Sequence, residues 1–191
     1  MKYKTATLNK KDITNFSLER NKLLNKTKYG WIFFVDSDEQ ISKELMDELI
    51  ALNPKNNKAY MVKRKNFFLG QIVGTDKIVR LVKKGSGKWQ RAVHELFEVY
   101  DGGNIGMLEN YLIHNTATNL SSYISKMNDY STLHALANKK EGKKSGVFKI
   151  ILFPLAKFMQ KLLTSKNVVF SIMAALHSFL SWSKLYLNQK K

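Results

Sequence analysis

Nine residues, Trp31-Ile32-Phe33-Phe34-Val35-Asp36-Ser37-Asp38-Glu39, constrain this chain more than any other stretch. Five consecutive bulky apolar residues are too short a run for a typical helix and read as a strand buried on both faces. Three carboxylates follow within four residues. A strand that ends in Asp-x-Asp sets Asp36 and Asp38 at the carboxyl edge of a sheet, where open α/β sheets bind their ligands. Short side chains with hard oxygen ligands suit Mg²⁺ or Mn²⁺, above all when phosphates complete the coordination. Taken alone, the same pattern also describes a strand running into a solvated acidic loop.

The flanking segments supply context. Ile13, Phe16, Leu23 and Leu24 give an approximate helical stripe over Asp12 to Tyr29, with Asp12 as N-cap and Gly30 where the helix stops. Glu19-Arg20-Asn21 lies on its polar side and reads as a solvated face. After the acidic loop, Ser42 caps a second helix whose apolar face is Ile41, Leu45, Met46, Leu49, Ile50 and Leu52, and Asn53-Pro54 ends it. From Ala59 to Val82, apolar and basic residues mix between glycines. That pattern predicts short, irregular strands at one end of a sheet, with Arg64 and Arg80 facing phosphates or water. In Lys88 to Val99, His94 and Glu95 are adjacent between apolar residues. A carboxylate in an apolar setting can act as a general base and a neighbouring His can orient a phosphate or hydroxyl; an edge strand of alternating polarity fits equally well. His114 follows the apolar run Met107 to Ile113 at the end of a strand, as a metal ligand or a hydrogen-bonded structural residue.

Charge and composition narrow the classes. The 191 residues carry a net charge of +17, and Lys139 to Lys191 hold eleven of the 32 basic residues but only one acid, Glu141. Such a surface attracts nucleic acid, anionic lipid or nucleotide phosphates. The absence of cysteine excludes disulfides, thiolate zinc sites and cysteine nucleophiles. Met1 to Lys11 lacks the apolar core of a signal peptide, which argues for a cytoplasmic protein. A helix begins near Ser121 with Tyr123, Ile124, Met127, Tyr130, Leu133, Leu136 and Ala137 at helical spacing, and Lys139 to Gly146 reads as a basic linker. Beyond it, Val147 to Leu163 and Val168 to Leu187 lack eighteen uninterrupted apolar residues, which argues against transmembrane spans. Their lysines, Trp182 and Tyr186 fit helices lying in a membrane interface, and packing onto the domain core fits as well.

The ordered set Glu19-Arg20-Asn21, Gly30 to Glu39, Arg64-Lys65-Asn66-Phe67-Phe68-Leu69-Gly70, Arg80-Leu81-Val82, Val93-His94-Glu95 and Leu112-Ile113-His114 resembles family 2 inverting glycosyltransferases. Within them it is similar to the bacterial lipopolysaccharide-core or lipooligosaccharide glucosyltransferases. The resemblance covers roughly Asp12 to Tyr130. It implies an α/β fold of GT-A type (Rossmann-like, nucleotide-diphospho-sugar transferase), a nucleotide-sugar donor, a divalent metal (Mn²⁺ or Mg²⁺) and a glycan or lipid-linked acceptor. It further implies that Asp38, Asp36 and His114 serve the metal, that Arg20, Asp36, Gly70 and Arg80 line the donor site, that Glu39 supports the loop, and that Glu95 is the catalytic base beside His94.

Family members place about sixty residues before the equivalent of Asp12, building the nucleotide-binding half. Residues 1–138 are therefore expected to form a partial GT-A domain lacking its N-terminal strands, with an exposed sheet edge, and residues 139–191 a basic helical tail. The expected partners are the donor, the acceptor, an anionic membrane surface on the inner face of the cell membrane and a complementing chain, with no nucleic acid. The rival expectation is a truncated, noncatalytic membrane-associated remnant or a subunit of a split enzyme.

Overall fold

The structure, a computed structural model, describes residues 2–8, 13, 15–91 and 95–190. Its centre is β2 (Trp31–Asp36), in which all six residues are buried. One face of β2 presents Trp31, Phe33 and Val35 to Leu45 and Leu49 of α2 (Lys43–Ala51) and to Tyr60, Val62, Leu108 and Leu112. The opposite face sends Ile32 and Phe34 against Leu24 of α1 (Phe16–Lys26), with Trp89 and Phe97 beyond. Burying a side chain of this size stabilises by about 1.5–3 kcal/mol, so a strand that is apolar on both faces takes the middle of the fold.

Six strands form a mixed sheet. They are β1 (Lys4–Leu8), β2, β3 (Glu39–Ile41), β4 (Ala59–Phe68), β5 (Gln71–Lys83) and β8 (Ile105–Ala117), in spatial order β1-β2-β5-β4-β8-β3. β1 runs parallel to β2, whereas β2–β5 and β3–β8 are antiparallel. A separate two-stranded ribbon pairs β6 (Gly87–Gln90) with β7 (Leu96–Val99). Helices α3 (Leu120–Lys140), α4 (Val147–Ser165) and α5 (Val168–Gln189) complete the chain.

Several elements depart from the sequence reading. No strand was expected before α1, yet Thr5 and Thr7 alternate with the buried Ala6 and Leu8, and the parallel pairing with β2 follows that period of two. Asn15, not Asp12, caps α1, its side chain accepting from the Leu18 amide. β4 and β5 are long and lie inside the sheet instead of being short strands at its end; the lysines that disguised them sit on the wetter positions. His114 is inside β8, not at its end. In α3 the buried side is Met127, Ser131, Ala135, Ala137 and Asn138, while Ile124 and Leu136 are exposed. Small residues face the neighbouring helix there, which a search for bulky apolar residues does not find.

Two compact units emerge, 1–66 with 75–114 and 67–74 with 115–191. The second groups α3, α4 and α5 with the β4–β5 turn and the end of β8. Within it Phe68 meets the Tyr123 ring edge-on at 5.1 Å and the Phe170 ring at 5.4 Å, Thr116 Oγ1 donates to the Phe67 carbonyl, and Lys184 of α5 donates to Asn128, Ser131 and Thr132 of α3. By length and composition α5 is apolar enough to cross a membrane, a property the criterion of an uninterrupted apolar run had rejected.

Candidate active site

All three acids of the opening motif act at the carboxyl end of β2, each in a different setting. Asp36 ends the strand and is buried between two arginines: Arg20 Nη2 donates to its Oδ1 at 2.8 Å and Arg80 Nη2 to its Oδ2 at 3.0 Å. Glu39, whose side chain is fully buried, accepts at Oε1 from Arg80 Nη2 (2.6 Å) and Arg64 Nη1 (2.9 Å), and at Oε2 from the Asp36 amide (3.0 Å). That last bond closes the turn that carries Ser37 and Asp38. Asp38 is thereby held at the rim, with 17% of its side chain exposed.

The register of the sheet chooses the neighbour of Asp38. β3 pairs with β8 so that Glu39 lies opposite His114, and Asp38 Oδ2 comes within 3.4 Å of His114 Nε2. His114 Nδ1 lies 2.7 Å from Asn66 Oδ1, which fixes the ring with Nε2 toward the carboxylate. Asn66 is oriented in turn by Asp76, to which it also hydrogen bonds, and Asp76 takes both Nε and Nη2 of Arg64 at 2.9 and 2.7 Å. The result is a continuous chain from Glu39 through Arg64, Asp76, Asn66 and His114 to Asp38.

On the other side of Asp36, Arg20 Nε reaches Glu95 Oε1 at 3.3 Å. The Arg20 guanidinium lies between the Phe34 and Trp89 rings, 5.3 and 5.1 Å from their centroids. Asn21 fixes Trp89 by bonding both its amide and its carbonyl at 2.9 Å. One helical turn of α1 therefore positions both the ribbon and the carboxylate that follows it.

Among the described residues, five carboxylates (Asp36, Asp38, Glu39, Asp76, Glu95) and three guanidinium groups (Arg20, Arg64, Arg80) meet here. His114 Nε2 is buried and makes no hydrogen bond. A carboxylate oxygen and a ring nitrogen 3.4 Å apart are both ligand types that a divalent ion accepts. No group of three or more His, Asp or Glu side chains among the described residues is disposed to hold an ion by itself. Phosphate oxygens and water would have to supply the remaining ligands, the manner in which Mg²⁺ is usually bound.

Known proteins with this kind of sequence share one activity in their names. The chain is 26% identical over 181 residues, 85% of its length and 66% of the relative's, to the lipopolysaccharide core biosynthesis glycosyltransferase LpsC of Rhizobium meliloti (strain 1021). It is 25% identical over 179 residues to uncharacterised glycosyltransferases of Rickettsia typhi and Rickettsia prowazekii, covering 81% of this chain and 61% of each relative. The chain is similar to curated glycosyltransferases. It spans 61% to 66% of the length of these relatives. No family profile matches it.

Against the glycosyltransferase resemblance, the first unit brings together Arg20, Asp36, Asp38, Glu39, Arg80, Glu95 and His114. Both oxygens of Asp36 are occupied by arginine, so its role is to hold the cluster, while Asp38 and His114 face one another. Gly70 belongs to the β4–β5 turn in the second unit, where its φ of +80° by itself accounts for glycine. His94 lies outside the described residues. The solvated-face reading of Glu19-Arg20-Asn21 holds for Glu19 and fails for Arg20, which is 1% exposed. Its signal was in the spacing: Phe16, Arg20 and Leu24 fall on one helical stripe, and all three are buried.

Arg64, Asn66 and Asp76 were missed as site residues. In β4, Arg64 and Asn66 continue the period of two set by Tyr60 and Val62, so their inward direction was readable; Asp76 carries no such signal, because only the pairing of strands brings it to Arg64. Burial works against the Asp76 carboxylate, yet the hydrogen bonds and charge of Arg64, with Asn66 and His114 adding to them, hold its pKa below the usual carboxylate value. A depressed pKa contributes stability that is complete above the unfolded-state value of about 3.9 and is lost as pH falls through the lower folded-state value. The stability difference between the wild type and Asp76→Asn, measured by urea unfolding, is therefore expected to stay constant from neutral pH to about pH 5 and to shrink below about pH 4.

Proposed function

We propose that this chain transfers a sugar from a nucleotide-sugar to a cell-envelope glycan or lipid-linked acceptor, with inversion at the anomeric carbon and with Mn²⁺ or Mg²⁺ at the donor diphosphate. The observation that carries this reading is the Asp38–His114 pair at the end of β2, oriented through Asn66. The named activity of the relatives supports the class, and the role of LpsC in lipopolysaccharide core biosynthesis supports the choice of acceptor.

On this reading Asp38 and His114 Nε2 hold the metal, which supplies positive charge for the departing diphosphate. Arg20 and Arg80 keep Asp36 in place at the floor of the donor site. Glu95, held through Oε1 by Arg20, receives at Oε2 the proton of the acceptor hydroxyl. The acceptor oxygen then bonds to the anomeric carbon as the bond from that carbon to the phosphate oxygen breaks. One displacement inverts the configuration.

Calorimetric titration with uridine-diphosphate sugars, with and without Mn²⁺, tests the proposal. Binding is expected only with metal, and Asp38→Ala is expected to weaken it at least ten-fold, in keeping with the loss of an oriented metal ligand. Absence of any metal-dependent binding would favour the noncatalytic membrane-associated alternative.

A further inference from the structure

Helix α4 turns an apolar face to the outside. Its exposed positions include Phe148, Ile151, Leu152, Leu155, Met159 and Leu163, which recur every three or four residues and so form one continuous stripe. Phe148 is 81% exposed and Leu163 72%, and no residue of α4 is buried. The half-buried side of the same helix mixes Ile150, Phe158 and Leu162 with three lysines. There Lys149 lies over the Trp182 ring at 5.2 Å and Lys161 over the Phe170 ring at 5.6 Å, both rings belonging to α5. Lys157 shares that side, and burial followed by the charge of Lys161 lowers its pKa. On α5, Val168, Ile172 and Phe179 are exposed as well. A helix that leaves so long an apolar stripe in water is arranged for an apolar medium outside.

We infer that the α4 stripe seats in the surface of an anionic lipid bilayer, with the helix lying along the interface. Charge selects this occupant. From Lys143 to Lys191 there are nine lysines and no acidic side chain, so a second copy of this face would be repelled whereas anionic headgroups are attracted. Lys144 precedes the stripe and Lys166 follows it, so both ends of a helix about 28 Å long can reach headgroups. Packing argues against α5 crossing the bilayer instead. Its Ser171, Ser181 and Leu185 are buried, and Lys184 is committed to Asn128, Ser131 and Thr132 of α3, contacts that a spanning orientation would have to break.

The test is sedimentation of the full chain with phosphatidylcholine vesicles, with and without phosphatidylglycerol. It needs no nucleotide, so its outcome is separate from that of the transferase reading. Wild type is expected to pellet with the anionic vesicles. The pair Leu152→Glu and Leu155→Glu, at exposed positions where circular dichroism verifies an unchanged fold, is expected to weaken partitioning at least about a hundred-fold. Lys144→Ser and Lys166→Ser together are expected to weaken binding to the anionic vesicles about thirty-fold at low salt while leaving the weaker binding to neutral vesicles unchanged. Wild type remaining in the supernatant, an unaffected glutamate pair, or membrane association that resists alkaline extraction would each overturn the inference.

Discussion

Replacing Arg80 with methionine is expected to destabilise the protein by about 3–5 kcal/mol, the cost of leaving a buried charge without its partner. The size follows from what a single nitrogen does. Arg80 Nη2 donates to both Asp36 Oδ2 and Glu39 Oε1, at 3.0 and 2.6 Å, and the three side chains are each less than a tenth exposed. Removing the guanidinium leaves two carboxylates facing one another where water cannot enter. Each retains one arginine, Arg20 for Asp36 and Arg64 for Glu39, which is why the cluster weakens instead of dispersing. Because domains are stable by only about 5–15 kcal/mol, urea unfolding reads such a loss directly. Combining Arg80→Met with Asp36→Asn and Glu39→Gln is expected to recover much of it, since no charge is then stranded. A loss below about 1 kcal/mol for the single substitution would mean that the carboxylates are hydrated, as at exposed pairs.

On the proposed chemistry, Glu95→Gln lowers turnover by about 10²–10⁴-fold, the contribution of a positioned general base. Donor affinity is expected to remain nearly unchanged. The amide oxygen of glutamine can still accept from Arg20 Nε, so the cluster around Asp36 persists while the proton acceptor is gone. The loss then falls on kcat with little change in donor Kd. An enzyme that keeps its turnover after this substitution uses a base elsewhere. Loss of stability accompanying loss of turnover would instead mark Glu95 as a partner of Arg20 alone.

Much of the site was legible in local sequence. The uninterrupted apolar run placed β2 at the centre, and Asp-x-Asp at its end placed the acids at the sheet edge. Ser42 capped α2 as its side chain required. The basic middle of the chain misled, because lysines on half-buried positions of β4 and exposed positions of β5 hid two of the longest strands in the sheet. In the tail the apolar segments Val147 to Leu163 and Val168 to Leu187 located α4 and α5 to within two residues, while the demand for an uninterrupted apolar run passed over α5 as a helix long and apolar enough to cross a membrane.

By itself the sequence determined the elements whose cause is local: a strand apolar on both faces, helices with their caps, and an acidic turn of fixed spacing. It also determined which end of the chain carries the charge. Tertiary structure alone decided which acid does what. Asp36, Asp38 and Glu39 are equivalent in a list of residues, but pairing β3 with β8 sets Glu39 against His114 and carries Asp38 to Nε2, while α1 and β5 enclose Asp36 between Arg20 and Arg80. Charges separated by tens of residues in sequence interact only when a fold removes the water between them, and that distinction is absent from any short stretch of the chain.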